Sequence, residues 1–203
     1  MTTGTSYKPA TDDVRRLREE TGAGMIDCRN ALVRAGGDYE GAKRDLTAQG
    51  IAKAAKKGER EANEGLVGSY IHAGGKIGVL VEIRCETDFV ARNERFAELV
   101  RDIAMHVAAM SPTYLKREAV PEAIVSKARA ELAETIPAGK PAPVAERILE
   151  GKLSKWFEER VLLDQPFVKD DTKTVGELVA SVVAVLGEKI EVRRFIKYSL
   201  GQE

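Results

Sequence analysis

The spacing of apolar residues changes once along the chain, and that change limits the fold more than any other feature. Over roughly the first fifty residues apolar side chains recur every three or four positions, which places them on one helix face. Met25, Cys28, Ala31 and Leu32 form one such stripe. From Leu66 the period drops to two. Ile77, Val79, Val81, Ile83 and Cys85 share one face of a strand, and Leu80, Glu82, Arg84 and Glu86 take the other, mostly polar, face. One packed side and one wet side are the mark of an antiparallel sheet. Helical spacing then returns in Phe96, Leu99, Val100, Ile103, Val107 and Met110. The pattern predicts an α+β protein: an N-terminal three-helix bundle, then an antiparallel three-stranded sheet domain with packed helices and a helical hairpin.

Punctuation refines the plan. Thr11 and Asp12 are candidate caps for a helix through Val14, Leu17 and Arg18. Thr21-Gly22-Ala23-Gly24 breaks it, since glycine adopts backbone angles that other residues avoid. A second helix is expected from Met25 to Ala35. Asp38 caps a third, with Tyr39, Ala42 and Leu46 inward and Gly50 as its end. Residues 51–64 carry Lys53, Lys56, Lys57 and Arg60 against Glu59, Glu61 and Glu64, with no apolar face, and read as a helical or flexible linker. Leu66–Ala73 and Lys76–Glu86 read as strands joined by a two-residue Gly74-Gly75 turn. Helical patterns at Glu122–Ile136 and Val144–Leu163 flank the break Pro137-Ala138-Gly139-Lys140-Pro141 and predict a hairpin over about 121–163. Gln165–Thr172 reads as a loop, Val175–Leu186 as a helix and Lys189–Leu200 as a closing strand. The expected domains are 1–50, a linker at 51–64 and a core and dimerisation domain at 65–203.

Composition excludes several functions. The 203 residues are 43% hydrophobic, enough for a core, and 32% charged with a formal net charge of zero. A dedicated nucleic-acid binder needs a basic excess to neutralise phosphates, and no basic-aromatic stacking platform is visible, so nucleic-acid binding is not expected. Cys28 and Cys85 lie far apart without a Cys/His cluster, which argues against zinc or a disulfide framework and for a reducing, cytoplasmic setting. Met1–Asp13 is polar and has no signal-peptide core, and no apolar run approaches the ~18 residues that span a bilayer. The nearest approach to a phosphate loop, Gly74-Gly75-Lys76-Ile77, has Tyr70 at the first glycine position and Ile77 in place of Ser or Thr. His72 and His106 are not at metal-ligand spacing, and no nucleophile–base pair is apparent. Neither an enzyme nor a cofactor is expected.

Two segments carry the functional signal. One is Leu17-Arg18-Glu19-Glu20-Thr21-Gly22-Ala23-Gly24-Met25-Ile26-Asp27-Cys28. The other is Thr87-Asp88-Phe89-Val90-Ala91-Arg92-Asn93. With Ile103–Ala109, Gln165–Val168 and Lys173–Gly176, they resemble the elongation factor Ts family, short bacterial form, over nearly the whole chain from Val14 to Gly201. A Phe at a strand end is commonly core. Here Thr87, Asp88 and Arg92 flank it, so Phe89 is also a candidate for an exposed tip on a rigid sheet, a good shape for a binding hot spot.

The resemblance implies a guanine nucleotide exchange factor without covalent chemistry, with elongation factor Tu as partner. Phe89 and Asp88, shaped by Thr87 and Val90, would enter the partner's nucleotide domain and dislodge its magnesium ion, releasing GDP. The N-terminal bundle, similar to the ubiquitin-associated type, would dock on the same domain through Arg18, Met25 and Ile26, with Gly22 fixing the turn that presents them. Met25 and Ile26 are also candidates for the bundle core. His72 matches a partner-facing position, though an exposed strand-end histidine fits the residue equally. Short-form relatives pair through the sheet domain, so a homodimer with two Tu partners is expected. A rival reading is a passive adaptor whose bundle binds a ubiquitin-like or ribosomal partner; it has no need of the Asp88-Phe89 tip.

Overall fold

The computed structural model describes residues 7–201. The first six residues of the expected N-terminal domain, part of its polar start, and the last two of the chain lie outside that range. The described residues form a mixed α+β protein with a three-stranded antiparallel sheet, in the order β1-β2-β5. Its strands are β1 (Glu64–Ile71), β2 (Ile77–Cys85) and β5 (Ile190–Ser199). A separate two-stranded ribbon pairs β3 (Pro166–Phe167) with β4 (Asp170–Thr174). The chain divides into two compact units. The first holds the described residues up to Gly68, Glu82–Val100 and Glu177–Arg193; the second holds Ser69–Val81, Arg101–Gly176 and the described residues from Arg194 on.

The first unit begins with α1 (Thr11–Thr21), α2 (Met25–Arg34) and α3 (Tyr39–Lys56). Val14 and Leu17 of α1, Cys28, Ala31 and Leu32 of α2, and Ala42 and Leu46 of α3 make its core, with Tyr7 and Tyr39 packed at the edge. The cap of helix α1 lies one residue before its first candidate. Ala10 holds the cap position without a side-chain bond, and Thr11 and Asp12 lie inside the first turn. Asp38 does cap α3, accepting the Gly41 N–H at 3.0 Å. That helix does not stop at Gly50. It runs on to Lys56 because Ile51–Lys56 is rich in alanine and lysine, strong helix formers that outweigh the ~1 kcal/mol cost of one internal glycine. The unit also contains Gly65, held at φ 143° against β2: an added Cβ would lie 2.1 Å from the Ile83 carbonyl oxygen.

On β2 the alternation is as its sequence reads: Val79, Val81, Ile83 and Cys85 are buried and Leu80 is exposed. The connection from β1 is longer than two residues. The strands stop at Ile71 and resume at Ile77, with Gly74 and Gly75 at positive φ and the Gly75 N–H bonded to the His72 carbonyl. Helix α5 (Glu94–Met110) buries Phe96, Leu99, Val100, Ile103 and Val107, whereas Met110 at its last position is exposed.

In the second unit α6 (Glu122–Glu134) and α7 (Ala142–Arg160) form the hairpin. Val120, Leu153, Phe157 and Val161 are its core, with Tyr114, Val125, Leu132 and Trp156 packed around them. Arg129 of α6 bridges Glu146 and Glu150 of α7, each at 2.5 Å. At the hairpin's base the incoming and outgoing chains run side by side: Thr113 and Tyr114 donate to the Arg160 carbonyl, and Leu162 donates to that of Tyr114. The segment expected as a loop at Gln165–Thr172 is largely the β3/β4 ribbon. Its strands are too short to leave an alternating signature, and one of them opens on Pro166. Behind the ribbon, His106 is fully buried. The Val168 N–H donates to its Nδ1 (3.2 Å), which leaves Nε2–H to donate to Gln165 Oε1 (3.0 Å); Gln165 Nε2 donates to the Glu159 carbonyl (3.1 Å).

Candidate functional site

Strand β2 ends at Cys85, and after Glu86 the chain turns into a single helical turn, α4 (Asp88–Ala91). Thr87 is its N-cap, with extended backbone angles and a hydroxyl that accepts the Val90 N–H at 3.4 Å. Successive residues on a helix point about 100° apart. Val90 and Ala91 turn inward, each 8% exposed, and Phe89 is left 82% exposed. The ring is therefore an outward tip and not part of the core. Asp88 is partly exposed and reaches Arg92 one turn on, at 3.1 Å.

The root of this tip is bound on several sides. The Glu188 carboxylate accepts both the backbone N–H (3.0 Å) and the hydroxyl (2.7 Å) of Thr87. In the reverse direction Glu86 accepts the Lys189 N–H at 2.5 Å and holds Arg60 at 3.2 Å. These bonds keep the Glu86 carboxyl below the usual carboxylate range, with the Lys189 N–H as the main cause. The Cys85 thiol donates to the Thr87 carbonyl at 3.2 Å. Burial, helped by the Glu188 charge, pushes that thiol up to about 11, so it stays protonated at neutral pH. Burial likewise raises the Cys28 thiol.

The N-terminal segment presents a second exposed surface in the same unit. Gly22 ends α1 in the left-handed region (φ 69°) and donates its N–H to the Arg18 carbonyl. It also allows a close approach: an added Cβ would lie 2.6 Å from Val185 Cγ2 on α8 (Val175–Leu186). Met25 and Ile26 open α2 and are 39% and 75% exposed, so neither fills the bundle core. Arg18 lines a small depression together with Arg15, Glu19, Gly22, Arg95 and Val185. The depression joins the N-terminal segment to Arg95, which follows the tip in sequence. His72 lies in the second unit, exposed at the end of β1, with its Nδ1 3.1 Å from the Tyr70 hydroxyl.

Both signal-bearing segments lie in one unit and each presents exposed side chains there, Arg18, Met25 and Ile26 from the first and Phe89 from the second. Sequence reasoning missed Arg95, Val185 and the Glu86/Glu188 pair. Glu188 follows Gly187 and belongs to no motif in the sequence; its partner is 101 positions away. Among the described residues no group of three or more His, Cys, Asp or Glu side chains is placed to hold a metal, and no helix is long and apolar enough to cross a membrane.

Comparison with known proteins gives a consistent result. A family model described as Elongation factor TS matches residues 53–202. The chain is 51% identical over 194 residues to elongation factor Ts of Moorella thermoacetica, covering 95% of this chain and 96% of that one. It is 52% identical over 190 residues to elongation factor Ts of Geotalea uraniireducens, covering 93% and 88%. It is 51% identical over 190 residues to elongation factor Ts of Syntrophomonas wolfei, covering 93% and 89%.

Proposed function

The chain belongs to the elongation factor Ts family, and from that premise we propose that it is the exchange factor that releases GDP from elongation factor Tu in the bacterial cytoplasm. The observation that carries the proposal is the Phe89 ring, 82% exposed on a rigidly rooted turn. Burying such a ring in a partner supplies roughly 2–3 kcal/mol. That energy drives the Asp88-Phe89 tip into the partner's nucleotide domain and displaces the elements that hold its magnesium ion. The ion bridges nucleotide phosphates and protein ligands, so its loss removes the main electrostatic hold on GDP. Thr87 and Val90 fix the tip's shape. No covalent step is needed: a ~10⁴-fold faster release lowers the barrier by about 5.5 kcal/mol. By linkage, nucleotide weakens factor binding by the same ratio that the factor weakens nucleotide binding, so incoming GTP expels the factor.

Residues 1–50 act as a ubiquitin-associated-like docking domain, joined by the linker at 51–64 to the core at 65–203. Arg18, Met25 and Ile26 make the docking contacts on the turn set by Gly22, and His72 contributes a contact from the core domain. Their exposure supports this reading. Self-pairing through the sheet gives a homodimer and a complex with two Tu partners. In support, Ile71, Leu80, Ile196, Tyr198 and Leu200 are exposed apolar residues on or beside its strands. Ile71 Cδ1 also lies against Gly78, on the face of β2 that Leu80 occupies.

The test is release of fluorescent GDP from elongation factor Tu, with and without the protein. Acceleration at micromolar factor supports the proposal, and an unchanged rate rejects it in favour of a passive adaptor. Prior removal of magnesium with a chelator should shrink the factor's advantage.

A further inference from the structure

The Asp88-Phe89 turn is too short to hold its own shape. A helix of four residues closes about one turn of backbone bonds, and isolated turns are unstable in water. The segment nonetheless points a large apolar ring outward, a placement that gains the fold nothing. Something outside the turn must fix it.

From the geometry we infer that Glu188 is the positioning residue of the tip. Its two carboxylate oxygens take both donors of Thr87, the backbone N–H at 3.0 Å and the hydroxyl at 2.7 Å. A threonine hydroxyl has one hydrogen. Donating it to Glu188 leaves a lone pair for the Val90 N–H, which approaches at 3.4 Å. The carboxylate thereby orients the cap as well as anchoring it, and bonds to a charged acceptor are stronger than neutral ones. The neighbouring backbone is tied in the opposite sense, from Lys189 N–H to Glu86, itself paired with Arg60. Residues 86–87 and 188–189 therefore hold each other through two carboxylates pointing in opposite directions. Glu188 acts through Thr87 on the direction of Phe89.

This inference rests on the exchange reading above, and its test separates the two. Glu188→Gln keeps the side chain's shape but removes its charge and one acceptor oxygen. Thr87→Val removes the hydroxyl and leaves Glu188 in place. GDP release from elongation factor Tu is measured against factor concentration for each variant, alone and combined with Phe89→Ala.

The expected result for Glu188→Gln is a loss of about tenfold in maximal rate, of the size one charge-assisted bond supplies. The half-saturating concentration should stay within about twofold and the melting temperature should hold. Thr87→Val should give a similar loss, and neither change should lower the rate further once Phe89 is Ala. Full activity of Glu188→Gln alongside an impaired Phe89→Ala overturns the inference alone. An equal loss in the Phe89→Ala background also overturns it, because Glu188 would then act elsewhere. Full activity of Phe89→Ala overturns the tip mechanism and this inference together, whereas no acceleration by the unaltered protein overturns the exchange reading itself. If Glu188→Gln does not fold, Thr87→Val decides by the same criteria.

Discussion

Phe89 and Val90 are neighbours in sequence and opposites in burial: the ring is 82% exposed and the valine 8%. Their substitutions should therefore separate function from stability. Phe89→Ala should leave the melting temperature nearly unchanged, within the ±0.5 kcal/mol typical of surface positions, while GDP release falls by an order of magnitude or more. Val90→Ala should cost about 1–2 kcal/mol of stability. Thermal melting and stopped-flow release on both variants check this, and a large loss of stability in Phe89→Ala would contradict the exposed tip.

Gly22 and Gly36 are both held at positive φ, 69° and 60°, but only Gly22 is crowded, by Val185 at 2.6 Å from an added Cβ. Gly36→Ala should cost about 1 kcal/mol, the penalty of left-handed backbone. Gly22→Ala should cost about 1–3 kcal/mol more, because the added methyl overpacks against α8. Chemical denaturation of the two variants gives the difference directly.

Ile26 is exposed at the first turn of α2, away from Cys28, Ala31 and Leu32. Ile26→Asp should leave folding intact and weaken binding to nucleotide-free elongation factor Tu about tenfold or more, the effect of removing one apolar contact and burying a charge in its place. Calorimetric titration reads the affinity. An unchanged value would remove Ile26 from the proposed docking surface.

Burial lowers the pKa of His106, with the Gln165 bond opposing in part. The folded protein therefore resists protonation more than the unfolded chain does. The stability that the neutral ring contributes is complete above ~6.5 and is lost as pH falls toward the folded value. Protonation also converts Nδ1 into a donor facing the Val168 N–H. Asp102, one turn earlier on α5, is paired with Lys169 at 2.6 Å. Melting temperatures should drop between pH 7.5 and pH 5.5, and His106→Gln should flatten that drop while lowering stability at pH 7.5. An equal drop in the variant would place the acid sensitivity elsewhere.

Tyr198 and Ile196 are exposed on β5. Under the proposed self-pairing, Ile196→Lys with Tyr198→Lys should shift the protein from dimer to monomer in sedimentation at micromolar concentration. A wild-type monomer across that range would reject the dimer.

How much of this was legible depended on the range over which the deciding contacts act. Val175–Leu186 was readable to the residue because its apolar pattern is continuous. Strand β2 was readable because Val79, Val81, Ile83 and Cys85 alternate without interruption. Gly50 misled because a glycine signals a helix end only when its flanks do not favour helix. Met110 misled because periodicity does not say where a helix runs out of packing partners. The β3/β4 ribbon has no local signature and depends on partners such as His106. In the site, Asp88, Phe89, Met25 and Ile26 were visible as motif residues; the polar flanks Thr87, Asp88 and Arg92 pointed to an exposed Phe89, whereas Met25 and Ile26 stood open between contact and core until their exposure was seen. The supporting Glu188 was hidden because nothing within ten residues of it hints at Thr87.

The α6–α7 excursion has its own apolar filling, and its two ends are stitched together by Tyr114, Arg160 and Leu162. Lengthening or shortening it by matched turns would therefore leave the anchoring points unmoved, and closure entropy penalises such changes only weakly. It is the stretch where insertions and deletions can accumulate at least expense to the remaining architecture, and the natural place to graft a reporter or an affinity handle.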